Sequence, residues 1–263
     1  MNIKMIATDM DGTLFDSEKR LPKDFFEWVN NHDKVKFVIS SGRQYYSLSR
    51  AFGPVHDKLI FIAENGAVIY HHDELIHHDE MSIDDAVYCL KLIEKMPNCK
   101  ALASGIRASY IENPDQFEWD TCARFCGNLI NTDNIAEAMK GDMIVKIAIL
   151  YKNNDAGDHV SDFDVLPKHL KPVLSGESWI DLSMATVSKG TAVKVIQEKC
   201  GFDPKYCMAF GDYLNDVDML EACGESYCMK NGHPDVFKSA KYIADSNDDD
   251  GVMKVLRSEK YSF

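Results

Sequence analysis

The chain has 263 residues, 45% of them hydrophobic, and carries 29 basic against 42 acidic side chains, a formal net charge of −13. This length allows a sizeable core and favours two domains. The acidic balance argues against a nucleic-acid or anionic-membrane partner, because both would repel the chain. No apolar run approaches the ~20 residues of a membrane span, no signal peptide precedes the first strand, and the eight scattered cysteines are typical of reduced thiols. We therefore expect a cytoplasmic protein.

The first predicted element is a buried strand that begins at Ile3 and runs into Asp9 and Asp11, with Gly12 and Thr13 directly behind. Residues two apart in an extended chain point the same way, so both carboxylates can enter one site at the carboxyl end of the strand. Two such carboxylates repel each other unless a cation such as Mg2+ or a shared proton compensates. The alternative interpretation is that they are ordinary turn residues beside the glycine.

Three later stretches also place polar groups at the ends of predicted elements. A second strand, 35–39, runs into residues 40–43, where hydroxyls and free backbone N–H groups can hold an anion. Residues 188–190 open an amphipathic helix and place a lysine ammonium near its N-terminus. A later strand, 206–210, runs into residues 211–216, so that carboxylates again follow a strand, with a glycine for the tight turn; further strands are expected near 226–229 and at 242–243.

The long segment between the second and third of these stretches predicts a second domain. We expect an α/β core with a mostly parallel sheet from residues 1–82 and 188–263, and an inserted α+β domain with one open sheet face from residues 83–187. In chain order the predicted elements are a helix at 22–30, a strand at 59–63, a hairpin at 68–76, a helix at 82–96, a hairpin at 100–112, a helix from 114, a strand at 143–151, a helix near 160–170, a hairpin through 179–182, and helices at 189–200, 215–223 and from 234.

The four polar stretches, in this order, resemble the four motifs of the haloacid dehalogenase (HAD) superfamily of phosphatases. The matching residues are Asp9 to Leu14 for Asp-x-Asp-Gly-Thr-Leu, Ser41 for the hydroxyl ending a strand, Lys189 for the lysine, and Gly211 to Asp216 for Gly-Asp-x-x-x-Asp. The resemblance is closest to Cof-like sugar phosphatases, whose Ala-Glu-Asn-Gly-Ala stretch is present at 63–67. It implies a Rossmann-like core with a type IIB cap between the second and third motifs. A cap after the first motif is not expected, because the segment from Asp11 to Ser41 has room for one helix and little else.

The resemblance also implies roles for individual residues. Asp9 would be the nucleophile that forms an aspartyl-phosphate, and Asp11 the general acid and then the base, with its pKa raised by repulsion from Asp9. Mg2+ would be held by the Asp9 carboxylate, the Asp11 backbone carbonyl and the Asp212 carboxylate, with Asp216 orienting these ligands. The groups holding the phosphoryl oxygens would be Ser41, Lys189, Asn215 and the backbone N–H of Met10, with Gly42 leaving room for the phosphate.

The function implied is Mg2+-dependent hydrolysis of small phosphorylated metabolites, sugar phosphates first among them. Arg43 is either a substrate contact or a structural salt bridge, and Arg107, in the predicted 105–110 hairpin, either contacts the leaving group or pairs with surface acids. Two alternatives are a phosphomutase acting on hexose phosphates and a phospho-ligand sensor without turnover. The complete set of motifs speaks against the sensor, because a sensor needs neither a nucleophile nor an acid.

Overall fold

A computed structural model describes residues 2–263. Within them, the strands are β1 (Met5–Asp9), β2 (Lys36–Ser40), β3 (Leu59–Ala63), β4 (Val68–His71), β5 (Glu74–His78), β6 (Cys99–Gly105), β7 (Ser109–Glu112), β8 (Leu129–Thr132), β9 (Ile144–Tyr151), β10 (Leu170–Gly176), β11 (Trp179–Met184), β12 (Cys207–Gly211), β13 (Glu225–Met229) and β14 (Tyr242–Ala244). The α-helices are α1 (Phe25–Asn31), α2 (Tyr45–Ala51), α3 (Ile83–Ile93), α4 (Gln116–Ala123), α5 (Ile135–Ala138), α6 (Lys189–Cys200), α7 (Val217–Glu221) and α8 (Gly251–Leu256).

The larger of two sheets has eight strands in the order β14-β13-β12-β1-β2-β3-β4-β5. The strands from β14 to β3 run parallel, while β4 and β5 form an antiparallel hairpin at one edge. Helices cover both faces, as a parallel sheet requires. The α/β fold class predicted from the sequence is confirmed.

Alternate residues of β1 enter different apolar clusters on the two faces of this sheet. Ile6 packs in a cluster with side chains of α1, α2 and α8, whereas Met5 and Ala7 pack with side chains of α6 and α7. This two-residue period is expected of a strand covered on both sides. All five residues of β1 are buried, so the strand carries Asp9 into the interior at its carboxyl end.

The smaller sheet has six strands in the order β10-β11-β9-β6-β7-β8 and is antiparallel except between β7 and β8. On β9, Ile147 and Ile149 pack under α3 and α5. The residues that alternate with them along the strand, Lys146, Ala148 and Leu150, lie on the opposite face, which α4 covers in part. The inserted α+β unit is therefore present, while its boundaries at 83–187, and those of the core at 1–82 and 188–263, stay predictions.

Two predicted helices are wrong. The segment near 160–170 contains only a 3-10 helix, Ala156–Phe163, followed by β10. Pro167 explains this, because proline lacks an N–H donor and disfavours helical backbone in the residue before it. The helix predicted from residue 234 is likewise a short 3-10 turn, Val236–Lys238.

All eight cysteines carry free thiols. None of the helices in residues 2–263 is both long and apolar enough for a membrane span.

Candidate active site

The candidate site lies where three neighbouring parallel strands end. Strand β1 pairs with β2 on one side and β12 on the other, with Asp9 opposite Ser40 and Thr8 opposite Phe210. Parallel strands all end at the same edge of a sheet, so the motifs following β1, β2 and β12 meet there. The fourth motif arrives on α6, whose first residue is Lys189.

Asp9 and Lys189 form a buried ion pair at the centre of the site. The Lys189 ammonium donates to Asp9 Oδ1 at 2.5 Å and to Asp216 Oδ1 at 2.5 Å, and the lysine is 1% exposed. Burial would lower the pKa of Lys189, but the charges of Asp216 and Asp9 outweigh it and raise that pKa. Burial also raises the pKa of Asp9 well above its usual value, and Lys189 only partly offsets this.

Asp212 completes a cluster of three carboxylates. One oxygen each from Asp9, Asp212 and Asp216 lie within 4.8 Å of one another. Burial, followed by the charge of Asp216, raises the pKa of Asp212 to about 7. A single lysine cannot neutralise three carboxylates, of which Asp9 and Asp216 are buried and Asp212 is half-buried, and their oxygens are the ligands that hard divalent cations prefer. The donor set therefore fits a metal such as Mg2+.

Local geometry keeps Asp212 close to the first motif. The Thr13 hydroxyl donates to Asp212 Oδ1 at 2.7 Å. Gly12 has a φ of +82°, and a Cβ there would lie 2.5 Å from Asp212 Oδ2, so both backbone and space require glycine. Asp216 Oδ2 accepts the backbone N–H groups of Asp212 and Tyr213 at 2.9 and 3.1 Å. Both oxygens of Asp216 are thus engaged in holding its neighbours.

The expectation that Asp11 has a raised pKa is wrong. Two cations neutralise the Asp11 carboxylate: Arg43 donates to both of its oxygens, and Lys19 donates to Oδ1 at 2.9 Å. Burial acts to raise the pKa of Asp11, but the hydrogen bond and charge of Arg43, with the charge of Lys19, outweigh it and lower the pKa. In this conformation Arg43 serves as a salt-bridge partner of Asp11.

The residues predicted to hold the phosphate lie around the same strand ends. Ser41 and Gly42 follow β2 and line the cavity described next, as does Asn215. Asn215 donates to the Asn65 side chain at 2.9 Å, and a Cβ on Gly42 would come within 3.1 Å of that side chain. Met10 is fully buried, and its carbonyl accepts the N–H groups of the turn behind it.

A cavity of about 390 Å3 opens between the two sheets at this point. Asp9, Asp11 and Asp212 line its floor on the larger sheet. Its opposite wall is formed by residues of the smaller sheet and its loops, which include Leu102, Ser104, Phe125, Cys126, Lys146, Ala148, Glu177, Trp179 and Asp181. Substrate atoms beyond the phosphate would therefore contact this wall. The sequence predicted the three floor residues as site residues, but it did not predict any of the wall residues.

Lys146 joins the two sheets. Its ammonium donates to Gly42 O at 2.9 Å and pairs with Glu64 at 2.9 Å and Asp181 at 3.2 Å, and all of these side chains are buried. Burial would lower the pKa of Lys146, but the charges of Asp181 and Glu64 raise it. Asn65, at a left-handed φ of 56°, donates to Asp181 at 2.6 Å and adds a second link.

Arg107 does not reach this cavity. It lies at the tip of the β6–β7 hairpin with an exposed side chain, and its backbone N–H is held by the Asp142 carboxylate at 3.2 Å. The Asn128 side chain donates to the Arg107 carbonyl at 2.8 Å. The hairpin was predicted correctly, and its tip is held by Asp142 and Asn128, while the Arg107 side chain does not line the cavity. Arg107 therefore stays a prediction as a leaving-group contact, and the residues of the cavity wall are further candidates.

The fold and the four converging motifs define a class of protein. A family model for haloacid dehalogenase-like hydrolases matches residues 6–256, and the chain belongs to this family. The family consists of hydrolases and the relatives found are phosphatases, so the protein is a HAD-type phosphatase. The resemblance inferred from the motifs is confirmed.

Particular relatives agree with this class over almost their full length. A 5-amino-6-(5-phospho-D-ribitylamino)uracil phosphatase, YbjI of Escherichia coli (strain K12), is 28% identical, with 97% of this chain and 96% of the relative covered. The crystal structure of SMU.1108c from Streptococcus mutans UA159 matches with a TM-score of 0.90 at 26% identity, covering 97% of this chain and 98% of that one. A HAD subclass IIB sugar phosphatase, BT4131, shares the fold with a TM-score of 0.80 at 18% identity, covering 97% and 98%.

Proposed function

We propose that this protein is a Mg2+-dependent phosphatase that hydrolyses small phosphorylated metabolites, sugar phosphates first among them, through an aspartyl-phosphate on Asp9. The observation that carries the proposal is the environment of Asp9. Its carboxylate ends a buried strand, accepts a hydrogen bond from Lys189 and lines the floor of the cavity beside Asp212. A carboxylate in this position can reach a phosphorus atom while neighbouring groups neutralise the phosphoryl charge.

In the first step, a carboxylate oxygen of Asp9 attacks the phosphorus atom and the bond from phosphorus to the ester oxygen breaks. Asp11, which takes up a proton once the bound substrate displaces part of its pair with Arg43, gives this proton to that oxygen, so the leaving group departs as a neutral alcohol. Asp9 then carries the phosphoryl group as an acyl phosphate. Splitting the reaction in this way replaces one slow displacement by two faster ones.

In the second step, a water molecule attacks the phosphorus atom of the acyl phosphate. Asp11, now ionised, takes a proton from this water, and the bond between phosphorus and the Asp9 oxygen breaks. The products are inorganic phosphate and free Asp9, and Asp11 loses its proton when its pair with Arg43 forms again. One carboxyl group thus serves as acid and then as base.

The remaining motif residues hold charge in place. Ser41, Lys189, Asn215 and the backbone N–H of Met10 bind the phosphoryl oxygens, and Gly42 leaves them room. Asp9, Asp212 and the backbone carbonyl of Asp11 would hold the metal, with Asp216 keeping Asp212 and Lys189 in position through both of its oxygens. When bound, Mg2+ neutralises charge on the phosphoryl oxygens and orients them for in-line displacement.

A second substrate class is favoured by the names of two relatives. The Escherichia coli protein is named for a substrate that carries a ribityl chain between its phosphate and a uracil ring. The cavity wall of this chain offers both polar and aromatic side chains, including Asp181, Lys146, Phe125 and Trp179. A phosphorylated ribitylaminopyrimidine is therefore the second candidate beside simple sugar phosphates.

Two other functions use the same chemistry differently. A phosphomutase would return the phosphoryl group from Asp9 to a second hydroxyl of a hexose phosphate instead of to water. A sensor would bind the phosphate ester without turnover, but it would have no use for both Asp9 and Asp11.

The net charge of −13 disfavours nucleic acid and anionic membrane as partners, and a cytoplasmic location is consistent with the free thiols.

The test is a phosphate-release screen with and without Mg2+ across sugar phosphates, nucleotides, flavin mononucleotide, pyridoxal phosphate and the ribitylaminouracil phosphate. We expect release that requires Mg2+ and is abolished by Asp9→Asn. Product analysis with a hexose 1-phosphate separates the alternatives: free hexose supports the phosphatase, hexose 6-phosphate supports the mutase, and tight binding without any product supports the sensor.

A further inference from the structure

The cavity wall that the smaller sheet forms changes from polar to aromatic side chains along its strands. Because side chains alternate between faces, every second residue of β6, β9 and β11 borders the same side. The strand register groups them in three rows across the sheet: Lys146 with Ser104, Ala148 with Leu102 and Asp181, and Leu150 with Lys100 and Trp179. The first row is polar, the second joins two apolar side chains to the Asp181 carboxylate, and the third carries the Trp179 indole ring.

The polar row lies at the phosphate end of the cavity. Lys146 donates to the carbonyl of Gly42, the residue next to Ser41 in the second motif. Leu150 is four residues further along β9, so its row lies roughly 13 Å from the polar row at the usual strand rise. This distance exceeds what a single sugar unit spans beyond its phosphate. The aromatic row is therefore positioned for a part of the substrate remote from phosphorus.

Phe125 and Trp179 are in edge-to-face contact at this end of the cavity. Their ring centroids are 5.6 Å apart with an interplanar angle of 71°, and both residues are half-buried and line the cavity. The Arg43 guanidinium lies over the Phe125 ring, 5.3 Å from its centre. The aromatic pair is thus connected through Arg43 to Asp11, the group that meets the leaving oxygen.

The loop carrying Phe125 is fixed in place by the larger sheet's side of the site. Gln44 is 3% exposed, and its Oε1 accepts the backbone N–H groups of Gly127 and Asn128 at 2.9 and 3.1 Å. The backbone N–H of Gln44 in turn donates to the Phe125 carbonyl at 3.3 Å. A site whose walls are held before the ligand arrives loses less conformational entropy on binding.

We infer that Phe125 and Trp179 bind a planar ring on the leaving group and so select monoesters in which a polyol chain joins the phosphate to a heterocycle. Aromatic side chains that line a cavity stack on such rings, whereas a sugar alone would leave this end of the cavity unfilled. Ser104 and Lys146 line the phosphate end and Asp181 lies in the next row towards Trp179, so the hydroxyls of a chain would pass these side chains. The inference rests on the proposed function, because it assigns the leaving-group half of the same site.

The test compares two monoesters that differ by the ring: 5-amino-6-(5-phospho-D-ribitylamino)uracil and ribitol 5-phosphate. We expect the wild type to have the higher kcat/KM for the ring-bearing ester. Trp179→Ala should lower that value about tenfold to a hundredfold, the usual effect of removing a stacked ring, with a much smaller loss for ribitol 5-phosphate. Trp179→Phe should restore most of the loss. Phe117→Ala is the matched control, since Phe117 is an exposed aromatic residue outside the cavity.

Binding to the Asp9→Asn variant separates this inference from the proposed function. Calorimetric titration should show the ring-bearing ester binding more tightly than ribitol 5-phosphate, with the difference removed by adding Trp179→Ala. If this difference is found but the wild type releases no phosphate from any ester, the ring site stands and the phosphatase mechanism falls. Equal affinities for the two esters, or equal losses of kcat/KM in Trp179→Ala, would overturn the ring site even in an active enzyme.

Discussion

The Asp11 carboxylate accepts two hydrogen bonds from the Arg43 guanidinium, Nε to Oδ2 at 2.7 Å and Nη2 to Oδ1 at 2.6 Å. A planar guanidinium matches a carboxylate in this paired geometry, which makes the contact one of the stronger ion pairs. It keeps Asp11 ionised in the absence of a substrate. To protonate a leaving group, Asp11 must exchange part of this pair for the ester oxygen when the substrate binds.

Replacing Arg43 should therefore destabilise the protein in a pH-dependent way. Arg43→Met removes hydrogen bonds to a partly buried charge, and we expect a loss of about 1.5–3 kcal/mol near pH 7. The lowered pKa of Asp11 contributes stability above the pKa of an unfolded aspartate, and this contribution is lost as the pH falls through the folded value. The difference in unfolding free energy between wild type and Arg43→Met should thus narrow below about pH 4. Urea unfolding measures it, with Arg20→Met, at an exposed ion pair, as the control. A difference independent of pH would contradict the role of this pair.

Asp11→Asn should impair the enzyme according to the leaving group. An amide cannot transfer the proton, so kcat/KM for a sugar phosphate should fall about a hundredfold to ten-thousandfold. p-Nitrophenyl phosphate has a leaving group that needs little protonation, so formation of its acyl phosphate should suffer less. Because hydrolysis of that intermediate still lacks a base, it should accumulate and give a burst of p-nitrophenol in stopped-flow measurements. Equal losses for both esters with no burst would argue against Asp11 as the acid and base.

Metal affinity should depend on pH through Asp212. Its pKa is raised to about 7, so a proton competes with the cation at neutral pH. We expect the affinity for Mg2+ measured by calorimetry to fall as the pH is lowered from 8 to 6, with proton release on binding. Without a divalent cation, the folding stability should change with pH in the opposite direction to the metal affinity. The raised pKa of Asp212 contributes to the free energy of unfolding at low pH, and this contribution is lost as the pH rises from about 4 through 7. A metal affinity that is flat over this range would contradict Asp212 as a ligand.

Lys146 should be needed for stability as well as for the shape of the cavity. Lys146→Met leaves the carboxylates of Glu64 and Asp181 buried without their cation. Removing one partner of a buried ion pair costs about 3–5 kcal/mol, and we expect an effect of this size in urea unfolding. Lys152→Met is the matched control, because Lys152 also pairs with two acids but is more exposed. Similar small effects from both variants would show that the triad does not hold the sheets together.

The sequence predicts the motif residues well because each follows a strand or opens a helix, and parallel topology brings those positions together. Asp9, Ser41, Lys189 and Asp212 are all found at the same edge of the sheet. The pKa of Asp11 was predicted in the wrong direction because its partner, Arg43, lies 32 positions away and its pairing depends on side-chain geometry. Local sequence patterns carry no such information.

The cavity wall was missed for a related reason. Lys146, Asp181 and Trp179 meet only through the register of antiparallel strands. One signal was available: Lys146 interrupts an otherwise apolar strand in which all eight residues are buried. A lysine in such a strand requires buried acidic partners, and the alternating Trp179 and Asp181 on β11 indicate which face they share. The identity of those partners still depends on the packing of the two sheets.

The central claim is that Asp9 carries the phosphoryl group during turnover. Rapid acid quench of wild-type enzyme mixed with Mg2+ and a substrate, followed by peptide mass spectrometry, tests it most directly. We predict that the peptide containing Asp9 gains the mass of one phosphoryl group, that borohydride reduces this acyl phosphate, and that the gain is absent in Asp9→Asn. Steady phosphate release with no modification of Asp9, or turnover by Asp9→Asn above a few per cent of wild type, would contradict the account.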